Sequence, residues 1–534
     1  MLKFNLEWRL NKMRKINFIF PAFLTLVVTG CSSQPVSSNT ISSLTSTSIS
    51  QNVSSSYVGN RKISLYAIND FHGAIKAQSR NAGIETVGTF LKEKGKDGNT
   101  LLINSGDMFQ GSIESNYNYG NLLTDCMNTI EFDCFCLGNH EFDWGQEIIA
   151  LNRNRKDSDT SYQTPFLGAN IYHYSLEEDK VLNFASELSD KYVIRTLDNG
   201  LKVGIVGGIG YNQITSITSQ YVDDLTFRDP APIFKEISDE LRTQKGCDVV
   251  ILSVHAGQED VLGTGLSSLS SVSNKRYFDA VFCAHTHRSE KKMENGVPFI
   301  QAGAYGQYYS QVELTVDPSN NVTCDSYTNY YTSTIKVDKI DEKIARLVNE
   351  SNQTTSKISS EVLGTLSGDM SKNGDPAIPN LVCQAMAEEA IKQGYNVQLS
   401  MCNNARYDLK AGQLIYGSLF EALPFDNEIF IAKVKGEDLL KEMNYNFFYK
   451  VDENLDVQPD QTYTIAVLDY LATHRNATRD YDYFPSLEIL GNLTKTSEGV
   501  EQSYRYREIT ADYIRSKGNI NVSDYSMSNP HFSI

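Results

Sequence analysis

Basic side chains are in deficit in this chain. Its 534 residues carry 48 Lys and Arg against 65 Asp and Glu, a formal net charge of −17. Polymeric nucleic acid is held by cations that neutralise phosphates, so this balance argues against a nucleic-acid partner. The acidity itself speaks chiefly to solubility. Cysteine is sparse and unpatterned. Beyond Cys31 there are Cys126, Cys134, Cys136, Cys247, Cys283, Cys324, Cys383 and Cys402, with no paired CxxC spacing of the kind that holds zinc. Several lie in apolar runs, where a free cysteine acts as a small hydrophobe, and mostly reduced, buried thiols are expected. The apolar run from Ile16 to Val28 falls short of the ~20 residues a membrane-spanning helix needs. Histidine is scarce as well: only eight occur, and the placement of five of them is the most informative feature of the chain.

Those five fall in short motifs that each follow an apolar run. In order the motifs are Asn69-Asp70-Phe71-His72-Gly73, Ser105-Gly106-Asp107, Gly138-Asn139-His140-Glu141-Phe142-Asp143, His255-Ala256-Gly257 and Ala284-His285-Thr286-His287. Asp, Asn and His are ligands suited to divalent metals, and the set is what a two-metal hydrolase requires. Asp70 and His72 converge once the chain turns at Gly73. Asp107 follows a glycine in a tight turn, which leaves its carboxylate free to bridge two ions. Asn139 is a neutral ligand; His255 and His285 serve one metal and His287 the other. Two divalent ions bring +4 and the two aspartates −2, so the site keeps a positive charge that attracts a phosphate dianion. His140 is expected to face the substrate, with Asp143 three residues on to orient its ring, and when protonated to stabilise the transition state or donate to the leaving oxygen.

The N-terminus reads as a targeting segment. Lys3, Arg9, Lys12, Arg14 and Lys15 precede the apolar run, which ends at Val28-Thr29-Gly30-Cys31. That tetrapeptide resembles a bacterial lipobox, with Cys31 the lipidated residue; translation starts at Met1 or at Met13. Residues 1–31 are then a lipoprotein signal peptide. Residues 32–60 are a Ser/Thr-rich tether unable to bury a core. The expected location is the extracytoplasmic face of the cell membrane, reached through a lipid anchor. An ordinary cleaved signal peptide is the alternative.

From Lys62 to about Thr334, strands and helices alternate. Strands are expected at Ile63–Ile68, Thr100–Asn104, Phe132–Leu137, Leu201–Val206, Asp248–Val254 and Phe278–Cys283, and a helix at Ala231–Gln244. This is an α/β pattern, and in open α/β sheets ligands gather beyond the carboxyl ends of the strands, where all five motifs fall. Asp338–Asn352 reads as a helix with Ile340, Ile344, Leu347 and Val348 on one face, placed to connect two domains. A second domain follows, with a helix at Asn380–Gln393 and strands at Glu428–Val434 and Thr462–Val467.

The motifs together resemble those of the calcineurin-like metallophosphoesterases, and the chain from about Lys62 resembles the bacterial 5′-nucleotidase family, the UDP-sugar hydrolase and ecto-5′-nucleotidase group. The resemblance implies a four-layer α-β-β-α sandwich at 61–336, a connecting helix at 337–356, and a C-terminal α+β substrate-binding domain at 357–534. It implies one metal at Asp70, His72 and His287, a second at Asn139, His255 and His285, and Asp107 between them; the ions are expected to be Zn or Mn. His140 and Asp143 match the catalytic dyad, and Asn139 also faces substrate. Gly303-Ala304-Tyr305-Gly306-Gln307 matches a turn of the group. Ala284 stands where glycine is usual.

In the second domain, Leu423-Pro424-Phe425-Asp426-Asn427 matches well, and Phe425 corresponds to an aromatic that stacks on a base. The expected Asn-Gly-Gly-Gly-x-Arg loop reads Met401-Cys402-Asn403-Asn404-Ala405-Arg406 here, so Arg406 is retained without the glycines. A second arginine expected before the helix near Asn380 is absent, with only Lys372 nearby. Thr478-Arg479-Asp480-Tyr481-Asp482-Tyr483-Phe484 stands for a final base-stacking segment, with Asp480 as the matching aspartate and Tyr481, Tyr483 or Phe484 as the second aromatic wall. The expected function is hydrolysis of nucleoside 5′-monophosphates for salvage by a monomer or dimer. Hydrolysis of cyclic nucleotides, nucleotide sugars or other phosphomonoesters is the first alternative, and a non-catalytic nucleoside-binding lipoprotein the second.

Overall fold

Successive residues of the first strand, Arg61–Ile68, enter different layers. Ile63, Leu65 and Ala67 are buried with Ile205, Ile251 and Phe282 between two sheets, while Tyr66 and Ile68 turn to a helical layer on the other side. A strand buried on both faces in this way belongs to an inner layer of an α/β fold. The computed structural model describes residues 59–476, 479–497 and 500–532. The expected lipidation site Cys31, the signal segment, the tether up to residue 58 and Thr478 lie outside the described residues.

Two six-stranded sheets face each other. The first runs in the order Val322–Tyr331, Tyr308–Val316, Arg61–Ile68, Thr100–Asn104, Cys134–Cys136 and Phe166–Leu167. From Arg61–Ile68 onward its strands are parallel, and Tyr308–Val316 pairs antiparallel. The second runs Ser289–Glu294, Val297–Ala302, Ala280–Phe282, Val249–His255, Lys202–Ile209 and Tyr192–Thr196, with four parallel strands in the middle and antiparallel edges. Helices Gly83–Gly95 and Asn121–Ile130 cover the first sheet, through Val87, Leu91, Leu123 and Met127 among others. Helix Pro230–Thr243 covers the second through Phe234, Ile237 and Leu241. That helix starts one residue before the expected Ala231: Pro230 fits the first turn, where no amide bond is lost, and Asp229 caps it by accepting the Ala231 N–H. The result is the four-layer α-β-β-α sandwich.

The connecting helix is Glu342–Ser359, capped by Asp341. It begins later than its hydrophobic face suggests, because the Asp341 carboxylate captures the N–H groups of Lys343 and Ile344, leaving Ile340 outside. Ile344 and Val348 pack into the first domain, and its later turns meet helix Tyr416–Ala422 of the second. The C-terminal domain is α+β. A five-stranded sheet runs Phe447–Lys450, Leu399–Cys402, Thr462–Leu468, Ile429–Lys435 and Glu488–Asn492, flanked by helices Ala377–Lys392 and Tyr506–Lys517. Seven cysteines from Cys126 on are buried, Cys324 is partly exposed, and none is in a disulfide. Among the described residues no helix is long and apolar enough to cross a membrane.

Candidate dinuclear metal site

The parallel strands deliver their ligands at one end. Ile68, Asn104, Cys136 and Phe282 are the last residues of four of them, and Asp70 and His72, Asp107, Asn139, and His285 and His287 follow within five residues; His255 closes its own strand. The chain must reverse sharply after each strand to turn these side chains inward. Five of the seven take up left-handed backbone: Asp70 (φ 46°), His72 (48°), Asp107 (53°), His285 (75°) and His287 (58°). Such conformations cost a non-glycine residue of order 1–3 kcal/mol each, and they collect where a site over-determines the backbone. Ala284 is not among these, so alanine in place of glycine is harmless there.

The side chains form two groups that share Asp107. Asp70, His72, Asp107 and His287 make one, and Asp107, His255 and His285 the other, each with ligand atoms within 4.8 Å of one another. In the first, His72 Nε2 lies 3.0 Å from His287 Nε2 and 3.8 Å from Asp107 Oδ2, and His287 Nε2 lies 3.4 Å from Asp70 Oδ1. In the second, His255 Nε2 is 3.2 Å from both Asp107 Oδ2 and Asn139 Oδ1, and His285 Nδ1 is 3.0 Å from Asn139 Oδ1.

The donor chemistry fits a pair of cations. Nδ1 of His72 faces the Gln110 carbonyl at 3.1 Å and Nδ1 of His255 faces the Ser105 carbonyl at 2.9 Å. Each carbonyl keeps a proton on Nδ1 and leaves the Nε2 lone pair aimed at a carboxylate, an arrangement that asks for a positive charge between them. The ionisation of these side chains says the same. Burial opposes charge on Asp107, yet His255 and His140 beside it hold its carboxyl well below the usual range. Burial works against a proton on His255, but Asp107 pushes it up to about 9. Burial and the facing His287 bring His72 down to about 3.

A supporting layer holds the ligands. Asn69 Nδ2 donates to Asp70 Oδ2 at 2.6 Å and to the Gly303 carbonyl at 2.8 Å, and its Oδ1 accepts the Ala302 N–H. Glu141 is buried, and its carboxylate accepts three N–H groups, from Asp107 and Met108 at 2.9 Å and from Gly138 at 2.8 Å. It thereby ties the turn carrying Asp107 to the turn carrying Asn139. Gly138 has to be glycine, since a Cβ there would meet Asp107 Oδ1 at 2.3 Å.

His140 begins a single turn of 3₁₀-helix, His140–Phe142, which brings Asp143 back onto it. Asp143 Oδ2 lies 2.8 Å from His140 Nδ1. Burial opposes a proton on His140, but Asp143 and Asp107 outweigh it and raise its pKa. Asp143 occupies Nδ1, so Nε2 is the atom left for the cavity. That cavity, of about 320 Å³, lies between the two domains. Asp107, Asn139, His140, Asp143, His285 and His287 line one side, and Asn403, Arg406, Phe425 and Tyr470 line the other.

Arg406 and Phe425 therefore reach the site. The Phe425 ring stacks on His140 at 5.3 Å with 24° between planes, and the Arg406 guanidinium lies over the same Phe425 ring at 4.9 Å. Asp480 does not reach it. It is exposed in a hairpin closed by the Arg475–Tyr481 bridge, and that hairpin runs to the first domain, where Arg479 donates to the Asp223 and Leu225 carbonyls. Of the three aromatic candidates for a second wall, Phe484 is core, Tyr481 lies against Arg475, and Tyr483 stacks on His474 at 3.8 Å. The aromatic that does line the cavity is Tyr470, two residues past the end of strand Thr462–Leu468. Sequence reasoning missed it by searching near Asp480; its position just beyond a strand end was the available signal. Lys372 is spent on the Arg406 backbone, donating to its carbonyl at 2.9 Å.

Residues 63–289 match the family model described as calcineurin-like phosphoesterase, and residues 355–450 match that of the 5′-nucleotidase C-terminal domain. Among curated relatives, the endonuclease YhcR of Bacillus subtilis is 25% identical over 85% of this chain; the chain spans only 39% of that protein's length. Protein UshA of Yersinia enterocolitica is 23% identical over 80% of this chain and 85% of its own. Among solved structures, a 5′-nucleotidase precursor from Thermus thermophilus superposes with a TM-score of 0.66 at 16% identity, covering 86% of this chain and 97% of that one. At that identity the superposition speaks for the fold alone.

Proposed function

From a chain that belongs to the calcineurin-like metallophosphoesterases carrying a 5′-nucleotidase C-terminal domain, we propose hydrolysis of nucleoside 5′-monophosphates to nucleoside and phosphate. The observation that carries this reading is the sharing of Asp107 by two ligand groups at the floor of a cavity roofed by the second domain. Asp70, His72, Asp107, His255, His285 and His287 would hold divalent cations, which would supply a positive seat for phosphate oxygens and acidify water, as in other two-metal hydrolases. The chain's own residues do the rest. Asp107 and Asn139 set the ligand geometry from two different strands. His140, held by Asp143 through Nδ1, presents Nε2–H to the oxygen that departs with the nucleoside. Arg406 approaches the phosphate from the second domain, and Phe425 and Tyr470 offer aromatic faces for a base.

A second reading, turnover of nucleotide sugars or smaller phosphomonoesters, draws on one contact. Phe425 lies directly on His140, so the wall meant for a base touches the proton donor. One experiment weighs both. Purified protein lacking residues 1–58 is assayed with Mn²⁺ or Zn²⁺ against AMP, UMP, a cyclic nucleotide, UDP-glucose and p-nitrophenyl phosphate at equal concentration. Preference for AMP and UMP supports the proposal; equal turnover of all five, or none of the nucleotides, overturns it.

We place the protein on the outer side of the cytoplasmic membrane, anchored through Cys31, where loss of the phosphate charge turns an excluded nucleotide into a transportable nucleoside. Cys31→Ser should move it from the membrane fraction to the soluble one. Retention in the membrane would refute the anchor.

A further inference from the structure

Tyr470 lines the cavity, yet its own element does little to fix its side chain. It lies in a single helical turn, Asp469–Ala472, and a tyrosine keeps two side-chain torsions that one turn leaves open. What confines the ring is a neighbour four residues on. His474 meets Tyr470 edge-to-face, with 5.6 Å between centroids and 85° between planes. His474 is itself held by two other side chains. Its ring lies parallel to that of Tyr483, 3.8 Å away with 4° between planes, and its Nδ1 lies 2.6 Å from Asp482 Oδ1. At 8% exposure it has little room to turn.

Both partners of His474 come from the segment 480–484, which does not itself enter the cavity. The hairpin closed by the Arg475–Tyr481 bridge carries Asp482 and Tyr483 back beside His474. The Asp482 N–H also donates to the His474 carbonyl at 3.4 Å, so Asp482 grips both backbone and ring. The same hairpin is bonded to the first domain through Arg479. A row of three rings thus runs from a fastened hairpin to the cavity: Tyr483 on His474, and His474 against Tyr470. An imidazole with one nitrogen on a carboxylate and one face covered by a phenol ring keeps a single orientation, and it offers Tyr470 a fixed support. Phe425, the other aromatic of the cavity, is faced by both His140 and Arg406, so the setting of Tyr470 decides how firmly a base is gripped.

We propose that His474 is a positioning residue: locked by Asp482 and Tyr483, it holds the Tyr470 ring as a wall against which a nucleobase stacks. This rests on the nucleoside 5′-monophosphate reading given above and names how its base site is set. His474 touches no substrate and moves no proton. The wall it supports favours a phosphoester that carries a planar base over a bare sugar phosphate.

The test compares AMP with ribose 5-phosphate, which keeps sugar and phosphate and lacks the base, on the full chain with Mn²⁺. His474→Ala should raise KM for AMP about fivefold, because one stacking contact of the base is loosened, and leave kcat unchanged. Turnover of ribose 5-phosphate should not change, which also shows that the variant is folded. Asp482→Ala removes the anchor, keeps all three rings, and should raise KM for AMP in the same way. His474→Phe can still stack on Tyr483 and meet Tyr470, and should recover most of the loss. The decisive measurement is a double-mutant cycle with Tyr470→Ala: once Tyr470 is gone, His474→Ala costs nothing further. Should His474→Ala fail to fold, Asp482→Ala takes its place in the cycle. Adenosine affinity, read by calorimetry across the same cycle, separates this inference from the reading beneath it. A wild-type protein that hydrolyses no nucleotide but binds adenosine, with non-additive losses, would sink the phosphomonoesterase reading and leave His474 its role. Losses that multiply, equal losses on AMP and ribose 5-phosphate, wild-type behaviour of His474→Ala, or a wild-type protein indifferent to the base in both assays overturns the positioning role.

Discussion

At the scale of single residues, the site separates the candidate metal ligands from the other groups that face the cavity. His140 is not a member of either ligand group, and its partner is Asp143. His140→Ala should therefore lower kcat by about 10²–10⁴-fold while two ions stay bound; a protein that loses metal along with activity would place His140 among the ligands instead. Glu141 has the opposite character. It touches no metal position, yet three amide hydrogens of two ligand-bearing turns converge on it. Glu141→Gln puts an NH₂ against one of those N–H groups. We expect metal affinity to fall about 10–100-fold, as for other supporting-layer changes, measured by competition with a chromophoric chelator. Unchanged affinity would leave Glu141 a purely structural contact. The ligands themselves were legible from residue types at strand exits. Glu141 lies inside a motif the sequence displays, but its role depends on Asp107, 34 positions away, and no local pattern carries that information.

At the scale of elements, the loop that presents Phe425 is held by a helix far along the chain. Arg507, in helix Tyr506–Lys517, donates to the Leu423 and Phe425 carbonyls at 3.0 Å and to Asp426 Oδ1 at 2.8 Å, and Arg505 reaches the same carboxylate at 3.0 Å. Burial opposes the charge on Asp426, but the two arginines hold its carboxyl below the ordinary range. Asp426→Asn leaves a buried guanidinium short of its partner and should destabilise the protein by about 3–5 kcal/mol in urea unfolding at pH 7. The sign of the pH dependence follows from the depressed carboxyl. Its contribution is complete above the unfolded value of about 3.9 and disappears as pH falls through the folded one, so the gap between variant and parent should narrow only below about pH 4. A gap that does not depend on pH in that range would contradict this account. Strands and helices elsewhere match the periodicity of their sequences, as with Thr100–Asn104 and Pro230–Thr243 in the first domain. The arginine clamp is invisible there, because an arginine on an amphipathic helix looks like any solvated cation.

At the scale of the whole molecule, the cavity exists only because the two domains meet. The hairpin around Arg479 is one of the clasps. Its guanidinium bonds the Asp223 and Leu225 carbonyls and lies 3.7 Å from the Tyr174 ring centroid. A second clasp joins Asn116 Nδ2 to the Pro424 carbonyl at 3.1 Å. Arg479→Ala removes contacts worth about 1–3 kcal/mol. Open arrangements of the domains should become several-fold more populated, seen as faster hydrogen exchange at the segment 223–227 and a larger radius of gyration by X-ray scattering. No change in either would show that this hairpin does not govern docking. Here the sequence misleads in a definable way: the spacing around Asp480 suggests a substrate loop, but the strained Arg479 (φ 67°) and its carbonyl partners pull the segment onto the first domain.

What the sequence determined by itself is the α/β architecture and the set of candidate metal-binding side chains, because both are written in short-range terms: apolar period, turn residues, and ligand types a few positions past a strand. What only the tertiary structure decided is the second-domain face of the site. Tyr470 rather than a residue near Asp480 lines the cavity, and Phe425 lies on His140. Contacts of that kind depend on where two separately folded surfaces come together, and linear spacing holds no record of that distance.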